Sequence, residues 1–182
     1  HKTPQDTTLK KAKKLSKKTS HELIIQNLID TARYKYPFVK EYTLSKKGGK
    51  IAFTSSAHDG EFQSGVYVFD TQKQSIQSIY ASKGIFKSLK WDEAGQHLSF
   101  VSDLDTTQSL NRYFNLHLWS IGDDKAETIL TAQDEYLEKT YLISEHTPLA
   151  FSKNGSLLYF GKSLPILQAD TSLLEHEIVK VE

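Results

Sequence analysis

Tyr42-Thr43-Leu44-Ser45-Lys46-Lys47-Gly48-Gly49-Lys50-Ile51-Ala52-Phe53 recurs without gaps as Leu89-Lys90-Trp91-Asp92-Glu93-Ala94-Gly95-Gln96-His97-Leu98-Ser99-Phe100, and again as Leu149-Ala150-Phe151-Ser152-Lys153-Asn154-Gly155-Ser156-Leu157-Leu158-Tyr159-Phe160. Counted from Gly48, Gly95 and Gly155, large apolar residues stand six and four places before the glycine and three and five places after it, and the last is Phe each time. Period-two alternation on both sides of a break puts one face of each arm into a core. The break reads Ser/Asp-x-x-Gly, which pairs a short polar side chain that bonds turn backbone with a residue that tolerates positive φ. Each copy therefore predicts a β-hairpin.

Two further strands are expected after each of the first two copies, at residues 65–69 and 75–81 and at residues 115–119 and 126–132. That makes four strands per repeat. The key glycines are 47 and 60 residues apart, close to the roughly 40 to 50 residues of a four-stranded propeller blade and longer than the roughly 34 of a helical tetratricopeptide unit. Loop insertions account for the longer interval. Residues 22–27 and 177–182 both resemble third strands of a blade, so the chain is expected to open and close mid-blade. The fold class expected is all-β: a partial β-propeller with two complete four-stranded antiparallel blades flanked by two partial ones. Its boundaries are a Lys-rich mobile segment at 1–20, then the partial propeller at 21–182, with a blade remnant at 21–40, blades at 41–82 and 86–132, and a partial blade at 147–182. A β-sandwich with coincidentally similar hairpins is the competing architecture, and three gapless matches speak against it. A ring of blades protects its strand edges only when closed, so either the remainder of the propeller is a partner or identical chains associate.

Composition agrees with a folded β body. Of 182 residues 38% are hydrophobic and 25% charged, within the ordinary globular range, and the 9 Phe, 9 Tyr and 2 Trp cluster beside Val, Ile and Leu as strands require. The absence of cysteine removes disulfides, thiolate zinc sites and a cysteine nucleophile. No apolar run approaches the roughly 18 to 20 residues that span a bilayer as a helix, so no membrane span is expected. Because the chain begins at His1 and holds no methionine, it is expected to be processed or excised from a longer polypeptide. Its formal charge of +1 divides unevenly: seven lysines against Asp6 make residues 1–20 strongly basic, and the body is mildly acidic.

The Ser/Asp-x-x-Gly-x-x-apolar-x-Phe unit resembles the propeller repeats of the prolyl oligopeptidase family of serine peptidases and those of TolB-like propellers. The order of features narrows this: the Lys-rich stretch at 9–18, Glu22-Leu23-Ile24-Ile25-Gln26-Asn27, then Pro37-Phe38-Val39-Lys40-Glu41-Tyr42-Thr43-Leu44-Ser45, then Leu158-Tyr159-Phe160-Gly161 with Pro165 after it. This order looks like the N-terminal propeller of large dipeptidyl-peptidase-like members of the family from Bacteroidetes-type bacteria. The resemblance implies a non-catalytic propeller fragment that gates access of peptide substrates to a C-terminal α/β-hydrolase domain, with the Ser, Asp and His of the triad in that domain. It also implies a periplasmic or cell-envelope location. The alternative is a TolB-like propeller that serves as a protein–protein interaction module of the envelope.

Chemistry tested site by site gives no catalytic, cofactor-binding or metal-binding residue. No Gly-x-Ser-x-Gly elbow occurs; Ser64-Gly65 and Gly155-Ser156 come nearest, and both fall in hairpin or loop chemistry. The seven histidines (1, 21, 58, 97, 117, 146, 176) include no pair at the i, i+4 spacing of a zinc helix; His97 and His117 are expected as ordinary strand residues. Asp103-Leu104-Asp105 lacks the glycine and distant glutamate of a calcium loop and reads as a solvated loop. Asp134-Glu135, which resembles the acidic pair that holds a substrate amino terminus in dipeptidyl-peptidase relatives, stands in non-matching surroundings and reads as an exposed loop. Asn154-Gly155-Ser156 matches a glycosylation acceptor but also the expected hairpin turn. The lysines of 1–20 suit phosphates yet lack aromatics for stacking on bases, so no nucleic-acid partner is expected.

Overall fold

The computed structural model describes residues 21–57, 62–107, 110–137 and 140–167. The Lys-rich stretch 1–20, the strand expected at 177–182, and His1, His58 and His176 lie outside the described residues. Among the described residues every strand pairing is antiparallel, and the single helical element is the 3-10 turn Glu135–Leu137. The protein is all-β. One sheet has the order β1 (His21–Gln26), β2 (Arg33–Leu44), β3 (Lys50–Ser55), β4 (Gly65–Asp70), β5 (Ser75–Ala81). A second has β6 (Ile85–Trp91), β7 (His97–Asp103), β8 (Asn115–Ser120), β9 (Glu127–Leu130). Two short ladders follow, β10 (Leu142–Ile143) with β13 (Lys162–Ser163) and β11 (Ala150–Phe151) with β12 (Leu158–Tyr159).

The three repeated turns are congruent. Gly48, Gly95 and Gly155 take φ of 68°, 68° and 73°. In each turn the N–H of that glycine donates to the carbonyl three residues earlier, Ser45, Asp92 or Ser152, at 2.7, 3.2 and 2.9 Å. The same three residues close the loop from both sides. Their N–H groups donate to the carbonyls of Lys50, His97 and Leu157, and their side-chain oxygens accept from the N–H of those residues at 3.0, 3.1 and 3.0 Å. Successive turns also touch in the same way: a Cβ on Gly95 would lie 3.2 Å from the Ser45 Cβ, and one on Gly155 would lie 3.0 Å from the Asp92 Oδ2.

Layer packing repeats as well. In β3, Ala52 faces the second sheet and Phe53 faces away from it, because neighbouring residues of a strand point to opposite faces. Phe53 pairs with Tyr67 across β3–β4, and Phe100 pairs with His117 across β7–β8; both ring pairs are stacked, with centroids 5.5 and 4.8 Å apart. Each Phe is fully buried. Phe100 meets the first sheet, where Tyr80 of β5 lies 5.7 Å away. Phe53 meets Tyr36, 4.8 Å away and stacked on it. Since Phe53 pairs with Tyr42, and Tyr42 is six residues along β2 from Tyr36, a straight strand would separate the rings by roughly 20 Å. β2 therefore folds over at Pro37 and Phe38, the latter at φ 58°, and lays β1 and residues 33–36 across the outer face of β3 and β4.

Three expectations need correction. Residues 21–40 were expected as a blade remnant apart from the next blade, but hydrogen bonding is continuous through β2, so the first sheet has five strands rather than four; the separation is one of layers, created by the fold at Phe38. The columns before the first glycine were expected in the core, yet Tyr42 and Leu44 are exposed whereas Leu89 and Trp91 are buried. The overlying layer at β1 is only two strands wide; it covers Phe53, Tyr67 and Phe69 and leaves Tyr42 and Leu44 uncovered. Finally, Phe160 follows β12 instead of ending a long strand and is 39% exposed, so the third copy keeps the turn of the first two but not their burial.

Candidate functional site: a polar cleft between the two sheets

The part of β2 after Phe38 runs beside β6, and both strands are irregular there. Pairing shifts register between Val39 and Glu41 and between Lys87 and Lys90, which breaks the ladder and frees backbone N–H groups. Ser88 sits at φ 60° in the second irregularity. The Glu41 carboxylate crosses from the first sheet and accepts from the N–H of Ser88 and of Leu89, each at 2.9 Å. Burial raises the Glu41 carboxyl above its ordinary value, opposed by the N–H bonds from Leu89 and Ser88 and by the charge of Lys87.

Above this clamp opens a 970 Å³ cleft, at the large end of the range that admits small-molecule ligands. Phe38, Lys40 and Glu41 form one wall, residues 83–88 the other, and Asp105, Arg112 and Glu145 close the end. Arg112 is fixed from below: its Nη1 donates to Asp103 Oδ2 at 3.2 Å and to the Asp105 carbonyl at 3.0 Å. Lys87 pairs with Glu145. Asp105 accepts from the N–H and hydroxyl of Thr107, which hold its carboxyl below the ordinary value. Thr54 also borders the cleft; its Oγ1 is buried and has no hydrogen-bond partner among the described residues.

Residues singled out in the sequence lie elsewhere, except in the Asp103–Asp105 loop, where Asp105 lines the cleft. Asp103, expected in a solvated loop, is buried beneath the cleft, because its carboxylate binds Arg112 and the Asp105 N–H. Ser64 is buried, and its hydroxyl has no partner among the described residues. Ser156 is exposed and donates to Asn154 Oδ1 at 2.8 Å, so the Asn154 side chain serves the turn. Asp134 accepts from the Tyr136 N–H at the 3-10 turn. Ser102 Oγ and His117 Nε2 are 2.7 Å apart, the spacing of a nucleophile and its base, but both residues are fully buried and Thr128 holds the other ring nitrogen. No substrate reaches that pair. His97 Nδ1 lies 2.9 Å from Asp92 Oδ2 on the turn rim. Among the described residues no three His, Asp or Glu side chains gather as a metal site, and no helix is long and apolar enough to cross a membrane.

Sequence reading passed over Lys40, Glu41, Lys83 and Arg112. A signal existed for Glu41: it stands one place before the first apolar column, where the second copy has Ser88 and the third has Pro148, and such a departure inside a regular repeat marks a residue with its own task.

No family model matches this chain, and no curated protein matches it. Among solved structures it is similar to the acylaminoacyl peptidase of Pyrococcus horikoshii, at 16% identity and a TM-score of 0.42 over 60% of this chain and 20% of that one. The same figures hold for an acylaminoacyl peptidase in complex with Z-Gly-Gly-Phe-chloromethyl ketone. Similarity to the β-propeller domain of the Trilobed protease from Pyrococcus furiosus is at 16% identity and a TM-score of 0.35, over 69% of this chain and 52% of that domain. The chain thus spans about one-fifth of the length of the acylaminoacyl peptidases and about half of the propeller domain.

Proposed function

We propose that this chain is a run of blades from a β-propeller of a prolyl-oligopeptidase-like serine peptidase, where it narrows the path of peptides to an α/β-hydrolase domain. The observation that carries the propeller is the contact between successive turns, Gly95 on Ser45 and Gly155 on Asp92: like turns that meet at equivalent positions support a regular progression of units, as in blades. In this reading 21–40 belongs to one layer, 41–82 and 86–132 are whole blades, and a further blade opens at 147. The peptidase assignment is supported by the ordered sequence features given above, and a cell-envelope location of the parent protein is part of the same proposal. Among the described residues no metal cluster gathers and the one Ser–His pair is sealed from substrate; in this reading peptide cleavage belongs to the hydrolase domain.

The test is to express the complete reading frame and assay cleavage of chromogenic dipeptide amides before and after treatment with a fluorophosphonate. A labelled serine outside residues 1–182 and loss of cleavage are expected. A reading frame that continues only as further repeats, with no labelled serine, overturns the peptidase and leaves a TolB-like binding propeller.

A further inference from the structure

We propose that the cleft between β2 and β6 binds a peptide through its free C-terminal carboxylate, with Arg112 as the principal contact and Lys83 and Lys40 as flanking cations. Both bonds that fix Arg112 use Nη1, so Nη2 and Nε lie outside them, and a guanidinium held in place presents paired donors that match a carboxylate. Lys83 and Lys40 are exposed and line the same cleft.

Charge selects the ligand. The cleft is lined by four cations, Lys40, Lys83, Lys87 and Arg112, and by three carboxylates, Glu41, Asp105 and Glu145. Lys87 and Arg112 are already paired with Glu145 and Asp103, so Lys40 and Lys83 are the cations a single carboxylate at the guanidinium would meet, whereas a phosphate dianion would carry a second charge toward Glu41, Asp105 and Glu145. Shape agrees, because Phe38, 42% exposed, and Ile85 offer apolar wall for a side chain next to the terminus. The inference rests on the cleft alone and needs no hydrolase domain, so its failure would leave the proposal of the previous section standing.

The 182-residue chain is titrated calorimetrically with acetyl-Gly-Phe, with its C-terminal amide and with inorganic phosphate at one ionic strength. Expected are one saturable site for the acid, affinity weaker by about tenfold for the amide, and no displacement of the acid by equimolar phosphate. Arg112→Lys keeps the charge but loses the paired donors and is expected to weaken the acid about tenfold. Lys83→Gln alters an exposed side chain that holds no part of the fold, so it serves as the second variant, and a smaller loss confined to the acid is expected. Absence of binding, equal affinity for acid and amide, displacement by phosphate, or unchanged affinity in Lys83→Gln and Arg112→Lys would each overturn the inference.

Discussion

His117 occupies in the second sheet the place that Tyr67 occupies in the first, stacked on the repeat's Phe. A tyrosine stays neutral at physiological pH whether the chain is folded or not, but an imidazole freed by unfolding does not. Burial pushes the His117 pKa down to about 4 from 6.5, so between those values the unfolded chain binds a proton that the folded chain refuses. Stability is complete above about pH 6.5, falls as pH drops toward 4, and levels below that, with a total loss of up to about 3 kcal/mol. Urea midpoints measured from pH 7 to pH 4 are expected to decline in the native chain and to decline less in His117→Phe. At the turns, Gly48 and Gly95 share a φ of 68°, but a Cβ at 48 meets open space and one at 95 meets Ser45. Gly95→Ala is therefore expected to lower the thermal midpoint more than Gly48→Ala, which should cost only the left-handed strain of about 1 kcal/mol.

Between elements, the two sheets are joined at three depths. Ala52, Val66, Val68 and Ile79 of the first pack on Leu98, Phe100 and Trp119 of the second. Along the outer strands the Ala126 N–H donates to the Ile79 carbonyl and Lys125 Nζ to the Ser78 carbonyl. Along the inner strands Glu41 holds the N–H groups of Ser88 and Leu89. Glu41→Ala strands two donors in a partly buried place and should cost about 1 to 3 kcal/mol in chemical denaturation; Glu41→Gln, which keeps one acceptor, should cost less. Equal losses for the two would show that the N–H contacts carry little. Phe100→Ala removes a fully buried ring from the inter-sheet core, and an expected loss of about 3 to 5 kcal/mol should unfold both sheets in one transition. Separate transitions in calorimetry would contradict a shared core.

At the scale of the molecule, apolar clusters alternate with sheets: one under β1 and β2, one between the two sheets, and one where Val101, Phe114 and Leu116 meet Leu137, Ile143 and Leu149. Both ends of this stack expose apolar side chains, Tyr42 and Leu44 at one and Leu157, Tyr159, Leu164, Ile166 and Leu167 at the other. Exposed apolar side chains of this size bind apolar dyes where they adjoin. The folded chain is expected to bind anilinonaphthalene sulfonate, and the pair Tyr42→Ser and Leu44→Ser should reduce the signal while leaving the thermal midpoint within a few degrees. An unchanged signal would place the dye elsewhere.

The hairpins were legible from spacing alone, because a turn is a local object: Ser45, Asp92 and Ser152 bond backbone within five residues, and the glycine that follows needs no distant neighbour to adopt positive φ. The alternation that sends Phe53 and Phe100 into a core was equally local. Burial itself was not, since Tyr42 and Leu89 hold the same column and only the width of the layer stacked on each separates exposed from buried. The fold at Phe38, the passage of Glu41 to the next sheet and the assembly of Arg112 with Lys83 and Lys40 depend on segments up to 72 residues apart in sequence. Period-two patterning states which face of a strand is apolar, whereas the partner of that face, and any cleft left between partners, is decided by how the sheets stack.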